Sequence, residues 1–254
     1  MAELSCFTHD HDGERLSAVA AGPPGRATVL LLHGAGNGSK ERLLPLLEEF
    51  AAQGCRALAF DFSGHGESSG RLAELSLRRR YEQAVALLDA HGPADDPLVL
   101  VGFSMSGQTV ADLLRLHGRR VAAVGLCAPA VYSPAAWDLP FEDGRGRFSA
   151  IIRTPDSWRD SPALRVYAAY EGRAVLAVPG TDAVIPPAVT QAVQDALKAR
   201  AAYTRLELPD ATHQLGLWFR DHPEDRRQFV AALLTAADPD ARQPPPPRTR
   251  PAPG

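Results

Sequence analysis

Six short apolar runs alternate with segments of helical spacing, and this alternation most limits what the chain can fold into. The runs are Thr28–Leu32, Arg56–Phe60, Leu98–Val101, Val121–Cys127, Ala174–Val178 and Thr204–Leu208. Near-continuous Val and Leu, without polar alternation, is what a strand buried on both faces requires. Helical segments fall between or after them at Lys40–Ala52, Leu75–His91, Ser106–His117, Pro187–Ala201 and Pro223–Ala236. In the first of these Leu43, Leu44, Leu46, Leu47 and Phe50 share one side; in the second Leu77, Tyr81, Val85 and Leu88 form a stripe. Strands joined through helices form a mainly parallel, doubly wound sheet of α/β class. Ligands of such sheets bind beyond the carboxyl ends of the strands.

The first twenty residues differ. Leu4–Thr8 and Arg15–Ala20 flank a polar turn containing Asp12-Gly13, the signature of an antiparallel hairpin. After Gly22-Pro23-Pro24-Gly25 the parallel pattern begins. Residues 129–172 hold no strand signal and are rich in Pro, Trp and Tyr, as expected of a short insertion capping the sheet. Residues 238–254, with Pro244-Pro245-Pro246-Pro247, cannot bury a core and read as a disordered or polyproline-like tail. The expected organisation is one α/β domain over residues 1–237, with the cap inside it and the tail after it. A chain of 254 residues can bury such a core without disulfides or metal.

Composition excludes several classes. A net charge of −3 gives no electrostatic footprint for nucleic acid. Cys6, Cys55 and Cys127 are too few and scattered for a disulfide framework or a thiolate metal site. Cys55 and Cys127, at strand ends, read as small buried apolar groups. The N-terminus has neither a basic head nor an apolar run, and no apolar stretch approaches membrane-spanning length, so a cytoplasmic protein is expected.

The stretch that carries chemistry is Gly102-Phe103-Ser104-Met105-Ser106-Gly107, between an apolar run and a helix. A serine on a sharp strand-to-helix turn lifts its Oγ clear of the sheet, provided small neighbours flank it. Gly102 fills the −2 position; Ser106 stands at +2, where glycine is usual. A serine hydroxyl needs an adjacent base, and the base needs a third group to orient it. Asp182 follows the run Ala174–Val178, and His213 follows Thr204–Leu208, so both fall at carboxyl ends of strands. Asp156 and Asp210 are rival acids in loops, but only Asp182 follows the penultimate strand. His9 and His11 belong to a polar turn, His91 and His117 end helices, and His222 precedes a helix start; His33 and His65 also fall in loops facing the active side, but only His213 follows the last strand. The chain order Ser104, Asp182, His213 is that of the α/β-hydrolase arrangement. An oxyanion hole needs two backbone N–H groups. Met105 and Ala35, in Leu32-His33-Gly34-Ala35-Gly36, are the natural donors, and Gly34 allows close backbone approach.

With these pieces the chain resembles the α/β-hydrolase superfamily, especially its small esterase, lysophospholipase-like and serine-aminopeptidase-like members. The resemblance rests on Leu31-Leu32-His33-Gly34, Asp61-Phe62-Ser63-Gly64-His65-Gly66-Glu67-Ser68, the serine turn, Gly180-Thr181-Asp182 and His213, spanning about residues 28–236. It implies Ser104, Asp182 and His213 as the triad, and Ala35 and Met105 as oxyanion donors. It also implies that His33 and His65 support the loops around the site, beside Gly34. Ser106 departs from the pattern and puts the turn's geometry in question.

Residues 34–40 superficially suggest a nucleotide loop, but Ser39 stands where phosphate-binding patterns demand glycine or alanine. No His/Cys cluster has metal-ligand spacing. No cofactor and no metal are expected. The aromatic residues Tyr132, Trp137, Phe141, Phe148, Trp158, Tyr167 and Tyr170 make a core for the cap, or some of them line an acyl or leaving-group pocket. The expected function is hydrolysis of a small-molecule ester, thioester or small amide through an acyl-enzyme on Ser104. A non-catalytic binding protein on the same fold, or cofactor-free perhydrolase or lyase chemistry, is the alternative. The sequence leaves substrate identity and oligomeric state open.

Overall fold

A computed structural model of the protein describes residues 3–235; the proline-rich tail lies outside them. The chain opens with β1 (Leu4–His11) and β2 (Glu14–Ala21), joined by Asp12 and Gly13 at φ of 49° and 80°. Positive φ at both central residues matches the twist of a two-residue hairpin, which is why Asp-Gly serves there. The parallel part follows as β3 (Thr28–Leu32), α1 (Leu44–Ala52), β4 (Arg56–Phe60), α2 (Leu77–His91), β5 (Leu98–Phe103), α3 (Ser106–His117) and β6 (Val121–Cys127). The segment after β6 carries α4 (Arg147–Arg153) and α5 (Pro162–Ala169) and no strand. The chain then runs through β7 (Arg173–Thr181), α6 (Pro187–Lys198), β8 (Ala202–Thr212), α7 (Leu215–Asp221) and α8 (Pro223–Leu234).

The eight strands lie in the order β1-β2-β4-β3-β5-β6-β7-β8. β1 and β2 pair antiparallel, β2 meets β4 antiparallel, and every other pairing is parallel. From β3 the chain crosses to β4 on one side, then returns over β3 to β5 on the other. The loops leaving β3 and β5 therefore diverge and open a crevice at their carboxyl ends. Two apolar layers cover the sheet. Leu30, Leu32, Leu98 and Leu100 face α2, α3, α5 and α6; Val29, Leu31, Val99 and Val101 face α1, α7 and α8. All eight of these side chains are buried, and each contributes about 1.5–3 kcal/mol of hydrophobic transfer.

Several details depart from the sequence expectation. The helix expected over Lys40–Ala52 starts with a 3₁₀ turn at Lys40–Leu43 before α1, because Pro45 has no N–H with which to extend an α ladder backwards. α2 starts at Leu77, with Ser76 Oγ accepting from the Arg79 N–H at 3.1 Å as an N-cap. Its buried stripe runs through Leu77, Arg80, Gln83, Ala84, Leu87 and Leu88, leaving Tyr81 and Val85 half-buried. β7 and β8 continue past Pro179 and Pro209, and α7 is an additional short helix. Among the described residues, no helix is long and apolar enough to cross a membrane.

Candidate active site

The turn after β5 places Ser104 at φ 51°, a left-handed backbone that a non-glycine residue enters at a cost of about 1–2 kcal/mol. Three hydrogen bonds of 2.9 Å hold it: the Ser104 N–H donates to the Cys127 carbonyl, and the Ser104 carbonyl accepts from the Gly107 and Ala130 N–H groups. Two glycines make room. A Cβ on Gly102 would come within 2.7 Å of the Ser106 carbonyl oxygen, and one on Gly107 within 2.7 Å of Pro129.

Ser106 does not distort this turn. Its side chain is buried and leaves the crowded side occupied by Gly102 and Gly107. Oγ donates to the His33 carbonyl at 2.6 Å and accepts from Arg80 Nη2 at 2.8 Å. The same Nη2 donates to the His33 carbonyl at 2.7 Å. A serine at +2 thus links α3 to the loop after β3.

Asp182 and His213 are set side by side by strand pairing. β7 and β8 shift register after Pro179 and pair again at Thr181 with Thr212, one residue before each functional side chain. Gly180 is required at the crossing, since a Cβ there would lie 2.1 Å from the Pro209 carbonyl oxygen. Asp182 Oδ1 accepts from the Val184 and Ile185 N–H groups at 2.7 and 3.0 Å, which fixes the carboxylate. Oδ2 lies 3.0 Å from His213 Nδ1, and His213 Nε2 lies 2.9 Å from Ser104 Oγ. With its Nδ1 proton on Asp182, the imidazole presents Nε2 as an acceptor to the serine hydroxyl. Asp156 and Asp210 take no part in this line; Asp156 pairs with Arg159.

Ala35 and Met105 lie on the two loops that meet at Ser104, and neither N–H has a hydrogen-bond acceptor among the described residues. Gly34 permits this meeting: a Cβ there would stand 3.1 Å from Ser104 Cβ. His33 is fully buried, with Nε2 accepting from the Phe62 N–H at 3.1 Å and Nδ1 2.6 Å from the Gly34 carbonyl. Burial first, then the Arg80 charge, holds its pKa well below the ordinary value. His65 packs 4.8 Å from it with Nδ1 on the Ser63 carbonyl, and burial followed by Arg80 lowers its pKa too. Both rings are neutral fixtures of the loops.

Two polar centres were not singled out from sequence. Arg80 is fully buried; burial lowers its pKa to about 9, which leaves it protonated at neutral pH. Its guanidinium lies 3.7 Å over the Phe62 ring. The signal was present: Leu77, Arg80, Ala84 and Leu87 share one helical face. Lys40 is buried, and its ammonium pairs with Asp61, Glu41 and Glu67 at 2.9, 2.7 and 2.8 Å. Burial opposes its charge, but these hydrogen bonds outweigh burial and raise its pKa. The lysine at the end of the glycine-rich segment therefore ties loops together.

A cavity of about 80 Å³ opens at Ser104, between His33, Ala35, Asn37, Arg42, Phe103 and His213. The acyl-pocket reading of the cap aromatics is not met here, because no cap residue lines this cavity. Phe148 packs on Leu77, Met105 and Ala136, with Tyr132, Trp137 and Phe141 around it, and Trp158 packs on the main core. Burying those rings against the sheet and against Met105 satisfies them better than facing water. A larger groove of about 770 Å³ lies at the amino ends of β6 and β7, away from Ser104.

A family model described as Serine aminopeptidase, S33 matches residues 23–152. The chain belongs to that family. Its fold is that of the α/β-hydrolases, and hydrolysis is the chemistry the family points to. Among curated proteins, Epoxide hydrolase A of Mycobacterium tuberculosis is 35% identical over 144 residues, 55% of this chain and 42% of that protein. The dihydrolipoyllysine-residue acetyltransferase component of the acetoin cleaving system of Cupriavidus necator is 32% identical over 126 residues, 50% of this chain and 32% of that protein. The chain thus spans well under half the length of these relatives. Among solved structures, Est1E of Butyrivibrio proteoclasticus bound to ferulic acid superposes with a TM-score of 0.68 at 17% identity, covering 90% of this chain and 99% of that one. A thioesterase domain from the curacin biosynthetic pathway gives 0.65 at 15% identity, with 90% and 99% covered. At such identities the S33 chain shares their fold.

Proposed function

We propose that this S33-family chain is a serine hydrolase that cleaves a small ester, thioester or amide through an acyl-enzyme on Ser104. The observation that carries this reading is the hydrogen-bonded line from Asp182 through His213 to Ser104, at 3.0 and 2.9 Å. In the first half-reaction His213 Nε2 takes the Ser104 proton as Oγ bonds to the substrate carbonyl carbon. The carbonyl oxygen becomes an oxyanion facing the N–H groups of Ala35 and Met105, where preorganised donors lower the barrier by several kcal/mol. The intermediate collapses, and His213 returns the proton to the leaving group. In the second half a water gives a proton to His213 and its oxygen attacks the acyl carbon; Ser104 recovers its proton and the acid departs. Asp182 keeps the imidazole in the tautomer this needs and stabilises its cation.

The cavity of about 80 Å³ is far below the ~300–1,000 Å³ of drug-sized ligand sites, which favours short acyl groups. The test pairs covalent labelling by a fluorophosphonate with hydrolysis of p-nitrophenyl esters of graded chain length. Labelling that disappears in Ser104→Ala, with acetate preferred over octanoate, is expected. A Ser104→Ala protein with undiminished turnover overturns the mechanism. A wild-type protein that neither labels nor turns over points instead to non-catalytic binding.

A further inference from the structure

Arg80 is energetically out of place. It is a fully buried guanidinium, and among the described residues no carboxylate pairs with it. Its Nε and Nη1 are buried, without a hydrogen-bond partner among the described residues. An uncompensated charge in a protein interior carries a heavy desolvation penalty. The neighbouring Arg79 behaves ordinarily, half-buried and paired with Glu14 and Asp12. Stacking over Phe62 offsets part of the penalty at Arg80. Its two strong bonds both go to groups that carry the candidate oxyanion donors. One acceptor is the His33 carbonyl, two residues before Ala35; the other is Ser106 Oγ, one residue after Met105. Ser106 Oγ closes the triangle by donating to the same His33 carbonyl.

We propose that Arg80 is a positioning residue of the oxyanion hole: with Ser106 it clamps the loop after β3 to the start of α3 and sets the separation of the Ala35 and Met105 N–H groups. The inference rests on the serine-hydrolase reading. The clamp also explains why serine replaces the usual glycine at 106, since only a hydroxyl there can accept from Arg80 while donating to His33. The charge has a second consequence. A positive charge bonded to both donor-carrying segments favours negative charge at the carbonyl oxygen, which exists in the transition state and not in the bound ester. A resting-state cost is thus returned when the oxyanion forms.

The test uses the full-length protein and a p-nitrophenyl ester it hydrolyses, with Arg80→Met, Arg80→Lys and Ser106→Ala. Circular dichroism and melting temperature report folding. For Arg80→Met, kcat is expected to fall about 10- to 100-fold with KM within about twofold, since only transition-state stabilisation is lost. Affinity for a boronic acid that mimics the tetrahedral adduct should fall by a similar factor. Arg80→Lys, which keeps the charge but not the fork, should recover part of kcat, and Ser106→Ala should lose about 3- to 10-fold. A folded Arg80→Met with wild-type kcat, or with its loss confined to KM, overturns the proposal. If Arg80→Met fails to fold, Ser106→Ala decides: unchanged kcat and unchanged boronate affinity overturn it. Absence of hydrolysis by the wild-type protein refutes the underlying reading instead, so the two failures are separable.

Discussion

Lys40 and Asp61 join the loops after β3 and β4 through two bonds: the Lys40 N–H donates to Asp61 Oδ1 at 2.7 Å, and Nζ lies 2.9 Å from Oδ2. Asp61 is fully buried and also accepts the Glu67 N–H at 3.1 Å. Gly66 must be glycine here, because at φ 48° it passes so close to the carboxylate that any Cβ would overlap it.

Removing the cation strands a buried carboxylate. Lys40→Met should lower unfolding free energy by about 3–5 kcal/mol, the usual cost of breaking a buried ion pair. Urea denaturation monitored by circular dichroism measures it. A loss under about 1 kcal/mol would mean that the backbone donors alone satisfy Asp61.

Asp182→Asn keeps the shape of the acid but lets an amide N–H face His213 Nδ1, which favours the wrong imidazole tautomer. Esterase kcat should drop on the order of 10⁴-fold, while melting temperature moves by a few degrees at most. Steady-state kinetics beside differential scanning fluorimetry test both halves.

Gly34→Ala adds a methyl 3.1 Å from Ser104 Cβ, tighter than ordinary contact. The loop or the serine must yield by a few tenths of an ångström. Misplacement on that scale costs about 10- to 100-fold in kcat at a site that depends on orientation, with the fold retained. Turnover equal to wild type would show that the loop adjusts freely.

Asp112 on α3 is buried, and among the described residues its carboxylate accepts only from Gln108 Nε2, at 3.1 Å. Burial raises its pKa from 3.8 to about 6, with Gln108 opposing. Between those values the folded protein holds a proton that the unfolded chain has released. Stability should therefore fall as pH rises from about 4 to 6 and level off above that. Asp112→Asn should raise stability at pH 7.5 by on the order of 2 kcal/mol and change little at pH 4. Urea melts at the two pH values decide it; equal effects at both would refute the burial argument.

Local pattern was enough for the existence of the strands and for the serine turn, though not for every strand's ends. β3, β4 and β6 fall at their expected bounds because an unbroken apolar run can be satisfied only between two helical layers. β7 and β8 run past the expected ends at Val178 and Leu208, where the apolar runs stop. In the folded sheet a register shift absorbs the prolines and pairing resumes at Thr181 and Thr212. The stripe of α2 was read one position off, since Tyr81 and Val85 are apolar whereas Arg80 is not.

Taken alone, the residue order dictated the fold class, the hairpin before the parallel strands, and which serine, acid and histidine lie at carboxyl ends of strands. Those follow from hydrophobic period and turn chemistry, which act over neighbouring residues. Only the folded chain decided the distances between Asp182, His213 and Ser104, the hydrogen-bond partners of Ser106, and the burial of Arg80 and Lys40. These depend on segments 21 to 109 residues apart meeting at the sheet, and a polar side chain's environment is fixed by what packs against it.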